Sequence, residues 1–206
     1  MGFVLSLEEG VYLVGLARDA IEKVLRSEEV MAPRDVPGKL KLHCGVFVTL
    51  NKVEGSSHRL RGCIGFPYPL KPLVEALVDS AVSAALRDPR FPQVSSGEMG
   101  SIALEVSVLT PPEVLAVEKP SEYPSRIEVG VDGLIVSRGD NKGLLLPQVP
   151  VEWGWDAAEF LTQCSMKAIL PPDAWLLPGT EVSKFQAIIF AEEEPRGAVS
   201  RVELQQ

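Results

Sequence analysis

One order of local patterns occurs twice along this chain, and any fold it adopts has to accommodate both copies. Residues 45–50 (GVFVTL) are rich in β-branched and aromatic side chains, 51–57 (NKVEGSS) supply turn chemistry, and 59–64 read as the return strand of a hairpin. Pro67, Pro69 and Pro72 then set up a helix start, and 73–86 carry a broad apolar stripe until Asp88-Pro89 stops it. Ile102, Leu104, Val106 and Val108 alternate with Ala103, Glu105 and Ser107, the period of a half-buried strand, which Pro111-Pro112 ends. In the second passage 133–137 (GLIVS) stand where GVFVT stood, 138–143 are the turn and 144–146 the return strand. Pro147 and Pro150 precede a helix opened by Asp156 with Glu159 three positions on. That helix sets Phe160, Leu161, Cys164 and Ala168 on one stripe, and 184–191 form the closing strand.

The matched order and spacing point to an internal duplication, although hairpin, helix and strand is a motif that a chain also meets twice by chance. Ahead of both copies, Ser6-Leu7-Glu8-Glu9 is a capping box and opens a helix over about 7–26, and 31–37, with two prolines, read as a linker. The expected fold class is α+β: two related hairpin-helix-strand units forming mostly antiparallel sheet flanked by helices, in a single domain with approximate subdomains 1–112 and 113–206 and a cleft between the halves. A chain of 206 residues can bury a core of its own without staples. The 3 cysteines, Cys44, Cys63 and Cys164, form no CxxC pair, so neither a disulfide framework nor a structural zinc site is expected. No apolar run reaches the roughly 18 residues that span a bilayer, and 1–10 lack a basic signal-peptide head, so the expected compartment is the cytoplasm.

Charge narrows the function classes. The net charge of -8 argues against a protein that coats nucleic acid through a general basic surface. It is also uneven: residues 111–206 hold 8 basic and 15 acidic side chains, whereas 30–62 set Arg34, Lys39, Lys41, Lys52, Arg59 and Arg61 against only Asp35 and Glu54. That stretch is either a solvated hairpin face or a local anion site, with Arg59 and Arg61 offering bidentate donors. Within it lies the most unusual string, Arg61-Gly62-Cys63-Ile64-Gly65. Gly62 and Gly65 would leave backbone open to a ligand, and Arg61, Arg59 and His58 would favour the thiolate of Cys63 and make it a nucleophile. The structural alternative is a buried strand cysteine beside bulge glycines. Arg90, rigidly held between Pro89 and Pro92, either pairs with Asp88 at the helix stop while Phe91 plugs the core, or points at an anion. Gln148, Trp153, Trp155 and Trp175 are the polar and planar groups of the second copy. Core packing of at least two tryptophans competes there with a pocket for a planar ligand. No cofactor motif and no metal-ligand spacing is present, so none is expected.

Taken together, GVFVTL, LRGCIGFPYPL, ALRDPRFP, EVSVLTPPE, GLLLPQVPVEWGWDAAEFL and KAILPPDAW resemble the AMMECR-type domain family, in order and from about residue 7 to 192. The resemblance implies a prokaryotic stand-alone version of the domain, an α+β fold with two subdomains, a genomic link to Memo-like and radical-SAM proteins, and a likeness to nucleotide- and nucleic-acid-binding modules. It carries no reaction with it. The family motif falls on Leu60, Arg61, Gly62, Cys63, Ile64 and Gly65, on Asp88, Pro89, Arg90 and Phe91, and on Pro147 and Gln148. Two departures matter: Ser165 stands where the family has a cysteine, and Ile169 where it has a glycine. The first argues against a two-cysteine mechanism. The expectation is a module that binds a small anionic ligand, a nucleotide or RNA in a groove around LRGCIG, with Arg61, Gly62, Gly65, Asp88, Arg90 and Gln148 as binding residues. The alternative is an enzyme acting on a small anionic or nucleotide-like substrate, with Cys63 as its reactive thiol.

Overall fold

The computed structural model describes residues 3–55 and 57–202. In chain order the elements are α1 (Leu7–Leu25), β1 (Gly45–Glu54), β2 (Ser57–Phe66), α2 (Leu73–Leu86), β3 (Ile102–Leu109), β4 (Glu113–Val114), β5 (Asp132–Arg138) and β6 (Asn141–Leu145). They continue with α3 (Gln148–Trp153), α4 (Ala157–Lys167), β7 (Glu181–Glu192) and β8 (Val199–Val202). This is an α+β fold whose registered strand pairs are all antiparallel. Residues 3–111 together with 188–202 make one compact unit, and 112–187 make a second.

In the first unit the Ser6 capping box starts α1: the Ser6 hydroxyl accepts the Glu9 N–H at 3.2 Å, and the Glu9 carboxylate accepts the Ser6 N–H at 2.7 Å. The helix buries Gly10, Leu13, Val14, Ala17, Ala20 and Ile21 on one face. The β1–β2 hairpin is longer than the sequence suggests. Asn51 to Glu54 stay paired after a register shift at Leu50/Asn51, and the chain turns at Gly55 with φ +64°. β1 pairs on its other side with β3, and Val46, Val48, Leu50, Leu104, Val106 and Val108 face α1 and α2 in one core. Alanines on α2 let it lie close to β2: a Cβ built on Gly62 would sit 2.3 Å from the carbonyl oxygen of Ala84.

Residues 188–202 belong to this same core, so β7, which begins in the second unit, ends in the first. Phe190 fills a notch that only glycine leaves at position 10, where a Cβ would meet its ring at 2.1 Å. Beside it, Arg18 and Glu192, both almost wholly buried, form a forked ion pair. The fork is satisfied all round: Arg18 also donates to the Ile102 carbonyl at 2.7 Å, and Glu192 accepts the Leu104 N–H at 2.9 Å.

The second unit repeats the connectivity. β5 pairs with β6 and with the first half of β7, as β1 pairs with β2 and β3, and α4 packs on the hairpin. Asp156 caps α4 by accepting the Glu159 N–H at 2.8 Å. Tyr123, Leu134, Val136, Phe160, Leu161, Cys164 and Trp175 make its core. Gly143 stands to α4 as Gly62 does to α2, with a built Cβ 2.6 Å from the Cys164 carbonyl oxygen. The residues after α4 depart from ideality: Ile169 takes φ +58° and is 88% exposed.

Candidate functional site

β1, β2 and β3 each present one face to the core, which leaves Thr49, Cys63 and Glu105 on the other. Register aligns them as a row: Cys63 pairs with Thr49, and Thr49 with Glu105. The Thr49 hydroxyl donates to the Cys63 Sγ at 3.3 Å, and the thiol is half-buried. Cys44 and Cys164, by contrast, are fully buried, and desolvation pushes their thiols up to about 11 and about 12. Burial likewise raises the Glu105 carboxyl, opposed by a hydrogen bond with Ser107.

Directly after α2, the chain returns to Cys63 through Asp88. Its buried carboxylate accepts four hydrogen bonds: from the Cys63 N–H at 2.8 Å, the Arg90 N–H at 3.1 Å, Arg90 Nε at 3.0 Å and Arg90 Nη2 at 2.7 Å. Bonding to Arg90, and then to the Cys63 and Arg90 N–H groups, outweighs desolvation and holds this carboxyl far below the usual carboxylate range. Arg90 Nη2 also donates to the Cys63 carbonyl at 3.2 Å, so the guanidinium is fixed against the motif strand. The Arg90 side chain is nonetheless 53% exposed, and its Nη1 has no partner among the described residues. Phe91 does not plug the core; it lies half-buried with its ring centroid 5.4 Å from the guanidinium carbon, and Val94 is the buried residue of the segment.

Other expected site residues play different parts. Arg61 is spent inside the unit: Nε bonds Glu98 at 3.1 Å, Nη1 the Pro92 carbonyl at 2.8 Å and Nη2 the Gln93 carbonyl at 3.3 Å. It pins the 92–98 segment, with Glu98 also capping through the Ser95 N–H. Arg59 is exposed and, among the described residues, is paired with Glu54 at 3.6 Å, while Arg61 is held by Glu98, so the two arginines share no partner. Nor do the glycines open a backbone nest. A Cβ on Gly65 would sit 2.3 Å from the Val46 carbonyl oxygen and against the Phe47 ring, so both motif glycines serve close packing. The structure therefore brings Cys63, Asp88 and Arg90 together, with Thr49 and Glu105 beside them. Gln148 is exposed at the start of α3 in the second unit. Trp155 packs against the second core, Trp175 is buried with Nε1 donating to Thr162 at 3.3 Å, and Trp153 is exposed.

Thr49 and Glu105 were not singled out in the sequence. The available signal was a hydroxyl and a carboxylate at matching non-core positions of adjacent strands, which becomes a row only once the register is known. Among the described residues no group of three or more His, Cys, Asp or Glu side chains is placed to hold a metal ion, and no helix is long and apolar enough to cross a membrane.

A family model named AMMECR1 matches residues 14–190. A protein of Methanothermobacter thermautotrophicus is 57% identical over 190 residues, which cover 92% of this chain and 97% of the relative. Protein PH0010 of Pyrococcus horikoshii is 53% identical over 203 residues, 98% of each chain. The crystal structure of uncharacterized protein PH0010 from Pyrococcus horikoshii superposes with a TM-score of 0.76, covering 95% of this chain and 97% of that one.

Proposed function

This chain belongs to the AMMECR1 family, and we propose that within that fold the LRGCIG strand serves as the floor of a receptor site for a small anion, such as a phosphate or carboxylate group of a larger ligand. The observation that carries this reading is Arg90. A buried carboxylate orients its guanidinium against Cys63, the side chain stays half exposed, and Nη1 has no partner among the described residues. An arginine whose geometry is set in advance spends little entropy on meeting an anion. Asp88 is the positioning residue, Arg90 the anion donor, and the Thr49 hydroxyl and Cys63 thiol the remaining polar groups that a bound ligand meets. The free thiols fit a cytoplasmic setting. The shared connectivity of the two units, with Gly62 and Gly143 at matching helix approaches, supports descent from one duplicated element.

A second reading, a thiol enzyme, is favoured by the Thr49 to Cys63 hydrogen bond and by the half-buried Glu105 opposite Thr49, a carboxyl whose raised value suits proton transfer. One experiment separates the two. Inorganic phosphate and adenosine monophosphate are titrated against the native protein by thermal shift, while iodoacetamide labelling of each cysteine is mapped by mass spectrometry. Receptor function predicts a shift that Arg90→Gln abolishes, labelling confined to Cys63, and protection of Cys63 by the anion. No shift with either anion, or a shift that survives Arg90→Gln, refutes the receptor.

A further inference from the structure

The second unit carries an aromatic feature that its core does not consume. Trp153 closes α3 and is 70% exposed, while Trp155 packs against the second core, and the two rings stack with centroids 6.0 Å apart and planes 18° from parallel. Backbone geometry fixes the stack. Gly154 takes φ +66° between the two tryptophans and donates to the Val151 carbonyl at 3.3 Å, and the Trp155 N–H donates to the Pro150 carbonyl at 2.8 Å. One face of Trp153 is therefore backed by a ring that is itself anchored, and the rest of it meets solvent. The stack recovers the burial of one face of Trp153, and the 70% of the residue that stays in water costs stability that a ligand on it would recover.

Charge says what such a face would take. From 143 to 166 the chain carries Glu152, Asp156 and Glu159 and no lysine, arginine or histidine, and Glu152 and Asp156 are exposed. A nucleobase would bring phosphate into this acidic ground. A cation gains both from the ring quadrupole and from the carboxylates, and a guanidinium does so best because it lies flat on an indole while its fork meets a carboxylate.

We propose that the Trp153–Trp155 stack is a docking platform for an arginine-bearing segment of a partner protein, with Trp153 as the stacking surface and Glu152 as the carboxylate that receives the guanidinium fork. The proposal rests on other residues than the anion receptor does, and its test does not depend on that reading. Tri-arginine, tri-lysine, tri-glutamate and tetramethylammonium chloride are titrated against the full chain, read by tryptophan fluorescence and by calorimetry. Tri-arginine is expected to bind tighter than tri-lysine. Trp153→Leu, which touches an exposed side chain and keeps every charge, is expected to weaken tri-arginine by roughly three- to thirty-fold. Glu152→Gln is expected to weaken it too and to flatten its salt dependence, with unfolding midpoints unchanged in both variants. Equal binding of tri-arginine and tri-lysine, or tri-arginine affinity unmoved by Trp153→Leu, reduces the surface to plain acidity and overturns the proposal. So does tetramethylammonium binding as tightly as tri-arginine, which would make the platform a small-cation site, or any binding of tri-glutamate.

Discussion

Replacing Asp88 with asparagine tests whether one buried carboxylate organises the candidate site. The substitution keeps size and shape, but an amide offers one acceptor oxygen where four donors converge and aims an NH2 at the others. Two of the four are backbone N–H groups, those of Cys63 and Arg90, and a charge-assisted bond of this kind contributes on the order of 1.5–3 kcal/mol. The Arg90 ion pair is left out of the sum because its side chain is half exposed and water screens it. With the amide still satisfying one donor, the expected loss is about 2–4 kcal/mol at pH 7. The pH dependence has a definite sign. Asp88 is held below its unfolded value, so its contribution is complete above about pH 3.9 and is lost as pH falls from there toward the folded value. Urea unfolding at pH 7, 5 and 3 should show the wild-type and Asp88→Asn curves equally separated at the two higher values and closer together, though still apart, at the lowest, with equal slopes throughout. A gap that is the same at pH 3 as at pH 7, or one below about 0.5 kcal/mol at pH 7, would refute the view that charge at Asp88 holds Cys63 and Arg90 in place.

Three further outcomes are expected. Arg18→Ala should cost about 3–5 kcal/mol in chemical denaturation because Glu192 is left as a buried lone charge, and the Arg18→Met, Glu192→Met double variant should regain part of it; equal costs for the two variants would show that the pair matters only through packing. Ile169→Gly should stabilise by about 1 kcal/mol, since relief of a left-handed β-branched residue exceeds the added chain entropy, and a lower melting temperature would contradict this. Glu105 is raised by burial, so its charged form weakens the fold above both its folded and unfolded values and ceases to do so below about pH 4.3. Glu105→Gln should accordingly raise the melting temperature at pH 8 and leave it unchanged at pH 3.5.

Local pattern carried most of the elements. Alternation at Ile102 to Val108 and the capping box at Ser6 are events within a few residues, and the structure has β3 and α1 where they predict them. α3 is not anticipated because Pro147 and Pro150 read as the approach to the helix opened by Asp156, yet a proline in the first turn removes only an N–H that has no partner there anyway. The site was legible in part. Asp88-Pro89-Arg90 is a local motif, and its internal ion pair could be anticipated from adjacency. The engagement of Arg61 could not, because Glu98 lies 37 positions away and nothing between them signals the approach. Gly62 and Gly65 were read as openings because a missing side chain looks the same in a sequence whether its space is left to a ligand or taken by a helix carbonyl.

The fork between Arg18 and Glu192 also bears on the order in which the molecule is made. A ribosome that has released only the first 111 residues has produced every strand of the β1–β3 sheet and α1. It has not yet produced Phe190 for the Gly10 notch or the carboxylate that neutralises Arg18. Until translation passes Glu192 the nascent first unit holds an open apolar notch and an Arg18 guanidinium that lacks its forked partner and has only Glu22, 3.7 Å away on the same helix, so its closure awaits synthesis of the whole of the second unit. Chains ended by premature termination after residue 111 and before Phe190 are thus marked as unfinished by chemistry at their own beginning.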